Sequence, residues 1–417
     1  MTFSEIVELH GHIIDSYVLP RIMDEVMDRG GEFEIQDIRV GRRKDEPSYA
    51  RIQISAPNQD LLELLIDRAE RIGAVPRDIE QVSVAPAPDD GVFPEGFYST
   101  TNLETAVRLG RLWVPVEWPE MDCGIAVDTQ AQRAWTVALS DVRQGEQIVV
   151  GHEGVRVTPL ERPRTQPRVF AFMGSSVSSE KPKALLIGEV AQRLREIRAR
   201  AGRVILVGGP VLVHTGTRDH VASLIRERYV NVLFAGNGLA THDIEMAMFG
   251  TSLGVSLSEG VPEEGGHEHH LRAINRVRRA GSIRAAVEQG VLTNGIMHAC
   301  VCADARYILA GSIRDDGPLP DVVTDTLEAQ RLMRAEVRKG ADLVLVLSSM
   351  LHGIATGNLL SAAVTTVCVD INPAVVTKLA DRGSFQAIGL VMDVEGFLRE
   401  LCTDLGLEPG QAEARSG

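Results

Sequence analysis

The sequence predicts an α/β protein in which a carboxyl-terminal domain with a parallel sheet follows a small α+β module and a β-rich subdomain. From residue 169 onward, short runs of Val, Ile and Leu alternate with helix-like segments, which is typical of parallel strands buried on both faces. Residues 98–160 contain short β-rich runs between turn residues and lack long helical periodicity. The Pro-containing segments 85–97 and 161–168 are predicted to link the three regions.

The amino-terminal module, residues 1–84, mixes helical and strand patterns of similar length. The spacing of its apolar residues predicts helices at 15–29 and 60–73 and strands at 33–41 and 50–56. This combination of short helices and strands is typical of ferredoxin-like or ACT-like modules.

The two later regions have different patterns. In the β-rich subdomain, residues 98–160, the segment 142–154 has turn residues between apolar runs and predicts a hairpin. The parallel-sheet domain is predicted to extend over 169–407, and residues 408–417 are predicted to be a disordered tail. Its strands are predicted at 168–173, 203–209, 230–236, 306–311, 341–349, 365–372 and 386–393. Its helices are predicted at 183–201, 217–228, 269–290 and 322–339.

Composition and charge argue against two classes of partner. The 417 residues carry a net charge of −14, so the basic surface that a nucleic-acid partner requires is not expected. No uninterrupted apolar run reaches about 18 residues, which predicts no membrane partner. The first residues lack a basic and an apolar signal region, and five scattered cysteines predict reduced thiols, so we expect a cytoplasmic protein. Cys300 and Cys302 are predicted to alternate along a strand.

Polar and Gly-rich segments follow the predicted strands of the parallel sheet. Because parallel strands place their carboxyl ends at one edge, we expect these segments to form one ligand-binding cleft. A G-x-G-x-x-G dinucleotide motif follows none of the strands. The segments are 174–182, 210–216, 237–243, 312–321 and 349–358.

Three features of these strand ends leave alternatives open. Asp370 ends a strand and is suited to bind both hydroxyls of an adenosine ribose, or it caps the turn into Asn372-Pro373. The sequence Gly236-Asn237-Gly238 allows a phosphate to approach backbone amides closely, or it forms a tight turn. Lys181 is placed for proton transfer at the cleft, or it is a surface lysine in a salt bridge.

Two charged segments suggest metal sites, and we favour other interpretations for both. In residues 265–270, three histidines and a glutamate are too crowded for one tetrahedral set, so a loop that enters a helix is predicted. In residues 312–321, Asp321 is predicted to cap a helix that begins at Val322. We therefore expect no metal, and Arg314 is left to pair with a neighbouring acid or with a substrate carboxylate.

Longer motifs resemble one known family. The resemblance covers nearly the whole chain and points to the archaeal-type ornithine cyclodeaminases, which share the conserved region of the lysine-ketoglutarate reductase/saccharopine dehydrogenase (LOR/SDH) bifunctional enzymes. It implies a carboxyl-terminal NAD-binding domain similar to that of deoxyhypusine synthase, outside the usual fingerprint class. The motifs are WVPVEWPEMDCGIAVD, VLFAGNGLATHDIE, GGHEHHLRAINRVRRAGSI, AGSIRDDGPLPDVVTD and CVDINPAVVTKLADRGS.

The resemblance also implies residues that bind the cofactor, and polar residues of nearby segments are our candidates for the substrate. Leu103-Glu104 stands where relatives usually have His-Pro, a departure that bears on substrate specificity. Substrate contacts are expected at Asn102, Asp122 and Arg314. The family's NAD contacts correspond to Asn237, Gly238, Asp315 or Asp316, Ser349, Met350, Leu351, His352, Asp370, Asp393 and Val394.

The implied activity is the conversion of L-ornithine to L-proline and ammonia. Hydride leaves the α-carbon for NAD, the δ-amine attacks the resulting imine, ammonia departs, and the same hydride returns. Proton transfer at nitrogen needs a group with a pKa near the working pH, for which Lys181, His214 and Asp243 are the candidates. A saccharopine or imino-acid dehydrogenase with net NAD(P) turnover and a non-catalytic sensor of NAD and an amino acid are the alternatives. A homo-oligomer, either a dimer or a tetramer, is expected.

Overall fold

The computed structural model divides the chain into two compact units. Unit 1 comprises Met1–Gly174 and Asn358–Ala363, and unit 2 comprises Ser175–Gly357 and Val364–Gly417. The predicted strand at 168–173 lies outside the described residues. The structure describes residues 3–14, 16–43, 46–76, 81–158, 183–252, 255–256, 268–315, 317–381 and 387–407.

In the part of unit 1 that the structure describes, the first sheet has four strands and packs against two helices. The sequence patterns did not predict its strand Phe3–Gly11, which pairs antiparallel with Ser48–Ala56 along its whole length. Val7 and Leu9 of this strand are fully buried in the core that the two helices cover. The elements are β1 (Phe3–Gly11), α1 (Val18–Asp28), β2 (Glu32–Arg39), β3 (Ser48–Ala56), α2 (Gln59–Ile72) and β4 (Val75–Pro76), in the sheet order β2-β3-β1-β4.

The second sheet of unit 1 has seven strands within the described ranges, and its strand pairing corrects one prediction. The segment 142–154 does not form a hairpin, because the strand before Gly151 pairs with two other strands and the strand after Gly154 pairs with a third. Both glycines have a φ of 71°, and this left-handed turn leads the chain to a different strand of the sheet. The strands are β5 (Ser83–Pro86), β6 (Glu104–Leu109), β7 (Leu112–Glu117), β8 (Gly124–Asp128), β9 (Arg133–Val137), β10 (Gln147–Val150) and β11 (Val155–Thr158), in the order β11-β6-β7-β9-β8-β10-β5.

A buried acidic side chain lies on the inner face of α2. Glu70 is 5% exposed, and its Oε2 has no hydrogen-bond partner in the described part of the chain. Burial raises the pKa of Glu70 to about 9, and the nearby carboxylate of Asp67 adds to the shift. Asp67 itself lies within 2.8 Å of both Arg71 and His152. Glu70 is therefore protonated near neutral pH, unlike an exposed glutamate.

Replacement of Glu70 by glutamine is expected to flatten the pH dependence of stability. The native state keeps this proton whereas the unfolded state loses it above about 4.5, so the native protein loses stability as the pH rises from about 4.5 to about 9. Each pH unit in this window contributes ~1.4 kcal/mol, or up to ~4 kcal/mol between about pH 5 and pH 8. Denaturation curves at several pH values test this. Glu63→Gln, on the exposed face of α2, is the control, and equal slopes for all three proteins would contradict the assignment.

The described residues of unit 2 form a seven-stranded parallel sheet with helices between its strands, which confirms the predicted α/β class. Its central strands are continuous buried runs: all five residues of Val204–Gly208 and all five of Leu343–Leu347 are buried. The strands are β12 (Val204–Gly208), β13 (Val232–Gly236), β14 (Thr251–Ser252), β15 (Val255–Ser256), β16 (Arg306–Ala310), β17 (Val322–Val323), β18 (Leu343–Leu347), β19 (Thr365–Asp370) and β20 (Ala387–Val391). The parallel sheet has the order β17-β16-β13-β12-β18-β19-β20, and β14 pairs with β15 in a separate sheet.

The helices of unit 2 follow its strands in alternation. In chain order they are α3 (Lys183–Ala199), α4 (Val211–His214), α5 (Arg218–Arg226), α6 (Asn237–Phe249), α7 (His269–Ala280), α8 (Ile283–Glu288), α9 (Ile296–Cys302), α10 (Thr326–Arg338), α11 (Met350–Leu359), α12 (Pro373–Asp381) and α13 (Val394–Leu405). The predicted helix at 269–290 is two helices, because Gly281 has a φ of 100° and the Ser282 side chain caps the second helix. No helix in the described ranges is long and apolar enough to cross a membrane.

Two further predictions are wrong in their local structure. Asp321 does not cap a helix: its carboxylate accepts hydrogen bonds from the Ile283 amide at 2.8 Å and the Tyr307 hydroxyl at 2.9 Å. The helix begins later, at Thr326, where the Asp325 side chain accepts from two amides of the first turn. Cys300 and Cys302 lie in α9 rather than in a strand, since the pattern of short apolar runs does not separate the two structures.

Candidate active site

The order of strands in unit 2 reverses between β12 and β18. From β12 the chain moves outward through β13, β16 and β17, and it then returns to the other side of β12 and continues through β18, β19 and β20. Such a reversal leaves a crevice beyond the carboxyl ends of the two central strands, where ligands bind in open parallel sheets. The Gly209 amide donates to the Leu347 carbonyl at 3.1 Å, and a Cβ at residue 209 would collide with the Ser348 carbonyl. Only glycine fits at this junction of two strand ends.

The turn after β18 leads directly into α11. Ser348 has a φ of 48°, an uncommon left-handed conformation for this residue type, and its amide donates to the Val369 carbonyl at 3.0 Å. Ser349 is buried, whereas Met350 and Leu351 at the helix start are 47% and 75% exposed. The first amides of a helix lack intrahelical partners, so this turn is suited to bind phosphate oxygens.

Asp370 stands at the end of β19, next to β18. Its Oδ1 accepts a hydrogen bond from the Asn372 amide at 2.8 Å, and Asn372 caps α12 through the Ala374 amide at 3.0 Å. The turn-capping interpretation of Asp370 is therefore confirmed. Its other carboxylate oxygen makes no hydrogen bond to the described residues, and the side chain is partly exposed. The carboxylate can therefore still accept hydrogen bonds from both hydroxyls of a ribose.

Three sequence-predicted residues meet at the other side of the crevice. Asn237, at the start of α6, donates from Nδ2 to Asp315 Oδ1 at 3.2 Å and accepts from the Leu319 amide at 3.1 Å. The ring of His352 packs against Gly236, where an added Cβ would lie 3.0 Å from its Cε1. Burial lowers the pKa of His352, and the carboxylate of Asp315 opposes that shift. The ends of β13 and β16 are thus tied together beside α11.

The predicted proton-transfer residues lie in different environments. His214, on the helical turn after β12, has its Nδ1 2.6 Å from the Ser252 hydroxyl. Asp243 is fully buried, and its carboxylate accepts from Arg218 and from the amides of Ile296 and Met297 at the start of α9. Its hydrogen bonds are those of a side chain that holds secondary-structure elements together. Lys181 lies outside the described residues.

The remaining predicted cofactor and loop residues are more scattered. Gly238 lies against Pro210, at 3.3 Å from an added Cβ. Asp393 caps α13 through the Gly396 amide, and Val394 is buried beneath it. Arg314 is exposed, and Asp316 lies outside the described residues.

The predicted substrate residues of unit 1 lie on two connected turns. The Asp122 amide donates to the Thr100 carbonyl at 3.1 Å, and the Asn102 carbonyl accepts from the Ala362 amide at 2.8 Å. Asn102 is buried, whereas Asp122 is exposed and has a φ of 61°. Leu103 packs against Val157 and Ala362. The Leu103 side chain therefore contributes to the hydrophobic packing of unit 1.

Sequence patterns missed two residues near His214. The His242 ring centroid lies 4.9 Å from that of His214, and His242 Nδ1 lies 2.9 Å from Glu245 Oε2. Glu245 is fully buried. The only signal in the sequence was a histidine and a glutamate three residues apart on a helix that follows a buried strand, which places them on one face.

Comparisons with known proteins agree with this architecture. Three family descriptions match consecutive parts of the chain: "LOR/SDH bifunctional enzyme conserved region" at residues 4–103, "Arginine dihydrolase ArgZ-like, C-terminal, first region" at 104–187 and "Arginine dihydrolase ArgZ-like, C-terminal, Rossmann fold" at 188–401. An ornithine cyclodeaminase from Methanopyrus kandleri is 53% identical over 401 residues, which cover 96% of this chain and 97% of that protein. The chain belongs to the ornithine cyclodeaminase family.

Solved structures of relatives extend the comparison for this ornithine cyclodeaminase family member. ArgZ, an arginine dihydrolase from the ornithine-ammonia cycle in Cyanobacteria, aligns in its apo form with a TM-score of 0.83 and 38% identity over 97% of this chain. AgrE, a bifunctional arginine dihydrolase/ornithine cyclodeaminase from Nostoc, was solved as a ternary complex with ornithine and NAD+ and aligns with a TM-score of 0.53 and 42% identity. The chain spans 58% of the length of each of these two proteins.

Proposed function

We propose that this chain is an NAD-dependent ornithine cyclodeaminase that converts L-ornithine to L-proline and ammonia. The observation that carries the proposal is the reversal of strand order between β12 and β18, with Asp370 at the end of the neighbouring strand. The family membership and the complex of AgrE with ornithine and NAD+ support the same reaction. Bound NAD supplies a hydride acceptor that returns the hydride after ring closure.

The described residues fit a dinucleotide that spans the crevice. On one side, the start of α11 is suited to the phosphates and Asp370 to the adenosine ribose, because an acid at the end of the adjacent strand takes ribose hydroxyls in this architecture. On the other side, Asn237 and His352 lie where the ends of β13 and β16 come together. The nicotinamide half is therefore assigned to β12 and β13. Asp393, Val394 and Gly238 remain proposed contacts.

The reaction itself sets requirements for the protein. The α-carbon of ornithine must lie near the nicotinamide, and water must be excluded until the hydride returns, because an exposed imine hydrolyses. We propose Asn102, Asp122 and Arg314 as substrate contacts. Asn102 and Asp122 are held by connected turns within unit 1.

The assay for this function measures proline and ammonia from L-ornithine with a small, catalytic amount of NAD. Equal amounts of both products and no lasting rise in NADH absorbance are expected. A stoichiometric rise in NADH without proline would instead identify a net dehydrogenase, and protein loaded with NAD that consumes no ornithine would contradict the proposal.

Replacement of Asp370 by alanine is expected to weaken NAD binding about 10- to 100-fold, since a charge-assisted hydrogen bond contributes about 1.5–3 kcal/mol. Asp370→Asn is the matched control, because asparagine keeps the turn to Asn372 and loses only the charge. We expect the asparagine variant to bind NAD with intermediate affinity and to discriminate less against NADP. Unchanged affinity for NAD in both variants, measured by calorimetry, would remove Asp370 from the cofactor site.

We also propose that the protein works in the cytoplasm as a dimer or a tetramer. Its five cysteines, all in the described ranges, are free thiols, which suits a reducing compartment. The edge strand β2 carries the partly exposed Ile35 and Ile38, and Val40 follows it with 51% exposure. Light scattering of the purified protein measures the assembly size, and a monomer at micromolar concentration would contradict the proposal.

A further inference from the structure

A chain of polar contacts runs from the end of β12 across α6 to the start of α7. His214 on α4 packs against His242 on α6, with ring centroids 4.9 Å apart and ring planes tilted by 58°. His242 contacts Glu245 at 2.9 Å, and Glu245 accepts from the Thr251 hydroxyl at 3.1 Å. The same hydroxyl lies 2.8 Å from Nδ1 of His269, the first residue of α7. These contacts connect α4 and α6, which follow the adjacent strands β12 and β13, to the later helix α7.

The central group in this series of contacts is the Glu245 carboxylate, which has no access to water. Glu245 is 0% exposed, and Thr251 beside it is also fully buried. A buried carboxylate is costly unless hydrogen bonds and an opposite charge compensate it. His242 supplies a ring nitrogen at 2.9 Å and has only 14% of its side chain exposed. The two side chains, three residues apart on α6, fix each other's orientation.

Among the residues in this series of contacts, His214 lies nearest the carboxyl end of β12. Nδ1 is held by the Ser252 hydroxyl at 2.6 Å, and Nε2 has no hydrogen-bond partner in the described part of the chain. Burial lowers the pKa of His214, the neighbouring His242 lowers it further, and the carboxylate of Glu245 opposes the shift. His214 is therefore a neutral imidazole near neutral pH, with one nitrogen held and the other available to exchange a proton.

The position of His214 matches the nicotinamide half of the proposed cofactor. The helical turn that carries it follows β12 directly, and α6 begins at the end of β13, the neighbouring strand. Asp370, assigned to the adenosine ribose, lies on the opposite side of β12, at the end of β19. Chemistry at the nicotinamide therefore takes place on the side of the sheet to which His214 belongs.

We propose that His214 Nε2 moves the proton between the two nitrogens of the substrate during ring closure, and that His242 and Glu245 are its positioning residues. This rests on the proposed cyclodeaminase function. As the δ-nitrogen bonds to the imine carbon, it loses a proton to Nε2. The same proton then goes to the α-nitrogen as its bond to carbon breaks, and neutral ammonia leaves. One carbon–nitrogen bond forms, one breaks, and the imidazole returns to its starting state.

The first test removes the acceptor and follows two properties separately. His214→Asn is expected to lower kcat about 10²- to 10⁴-fold, the usual contribution of a general acid–base group, while the Kd for NAD changes less than about twofold. His298→Gln is the control, because His298 is also partly buried in unit 2 and contacts Cys302 instead. The control is expected to keep the native kcat. A kcat for His214→Asn within about twofold of the native value would overturn the proposal.

The second test separates positioning from simple packing. His242→Gln removes the ring that lowers the pKa of His214, so the acidic limb of the kcat pH profile is expected to move to higher pH. Glu245→Gln removes the anionic partner of His242 and is expected to lower kcat with little change in KM. A profile that does not move in His242→Gln, with NAD binding intact, would overturn the positioning role.

An NMR titration needs no turnover, so it tests the coupling of His214 to His242 separately from the proposed cyclodeaminase function. In protein labelled with ¹³C at histidine Cε1, the NMR titration of His214 is expected to shift to higher pH in His242→Gln. If the native protein makes no proline from ornithine, the proposed function fails regardless of this result. If it makes proline but His214 titrates identically in both proteins, the coupling fails and the function stands.

Discussion

Asp243→Asn is expected to reduce the free energy of unfolding by about 3–5 kcal/mol, the usual cost of breaking a buried ion pair by removal of one charge. The carboxylate is 0% exposed and accepts from Arg218 Nε at 2.6 Å and from the amides of Ile296 and Met297 at 2.9 and 2.8 Å. Asparagine has nearly the same shape, but its NH₂ group would face a donor, and the guanidinium of Arg218 would lose its buried counter-charge. Helix α9 would also lose the cap of its first turn.

The control for this substitution uses the same arginine. Asp219 is 60% exposed and lies 3.8 Å from Arg218, so Asp219→Asn is expected to change stability by less than about 0.5 kcal/mol. Urea denaturation of the native protein and of both variants measures the two changes in the free energy of unfolding. A loss below about 1 kcal/mol in Asp243→Asn, together with a large loss of kcat, would instead support the prediction that Asp243 transfers protons.

Gly209→Ala is expected to abolish measurable NAD binding and to destabilise unit 2 by about 1–3 kcal/mol or more, because overpacking displaces the backbone. The added Cβ would collide with the carbonyl of Ser348, an atom that belongs to the backbone of the adjacent strand end and has no rotamer to change. The hydrogen bond from the Gly209 amide to Leu347 holds the two strands at this distance. Separation of the strand ends would change the crevice in which the dinucleotide is proposed to bind.

The control glycine lies in a helix with room for a methyl group. An added Cβ at Gly188 in α3 would lie 3.7 Å from Asp404 Oδ2, an ordinary contact, and alanine is the better helix former by about 0.5–1 kcal/mol. Gly188→Ala is therefore expected to keep NAD binding and to be slightly more stable. Native affinity for NAD in Gly209→Ala would show that the crevice between β12 and β18 is not the cofactor site.

The sequence predicted the parallel sheet well because its strands are buried on both faces and appear as uninterrupted Val, Ile and Leu runs. It also placed Asn237, Asp315 and His352 at strand ends that meet in space. It failed where long-range contacts decide the structure. Asp321 has the residue type of a helix cap, but hydrogen bonds from Ile283 and Tyr307 fix it, and neither residue is near it in the sequence.

The same limit applies to the proton-transfer residues. Asp243 was predicted from its position after β13, but the residues that surround it come from α5 and α9. His242 and Glu245 were passed over because a histidine and a glutamate on one helix face are common, and only the fold places His214 beside them. Burial and partners, which distinguish a structural carboxylate from a reactive one, are properties of the tertiary structure.

The hydrogen atom on the α-carbon of ornithine reports whether the proposed hydride transfer and return take place. L-Ornithine deuterated at its α-carbon is incubated with the protein and a catalytic amount of NAD, and the proline is examined by mass spectrometry and NMR. Transfer to NAD and back predicts proline that retains deuterium at its α-carbon, an equal amount of ammonia and no accumulation of NADH. Proline without the label, or deuterated NADH that accumulates while no proline forms, would contradict the transfer of the hydride to NAD and back.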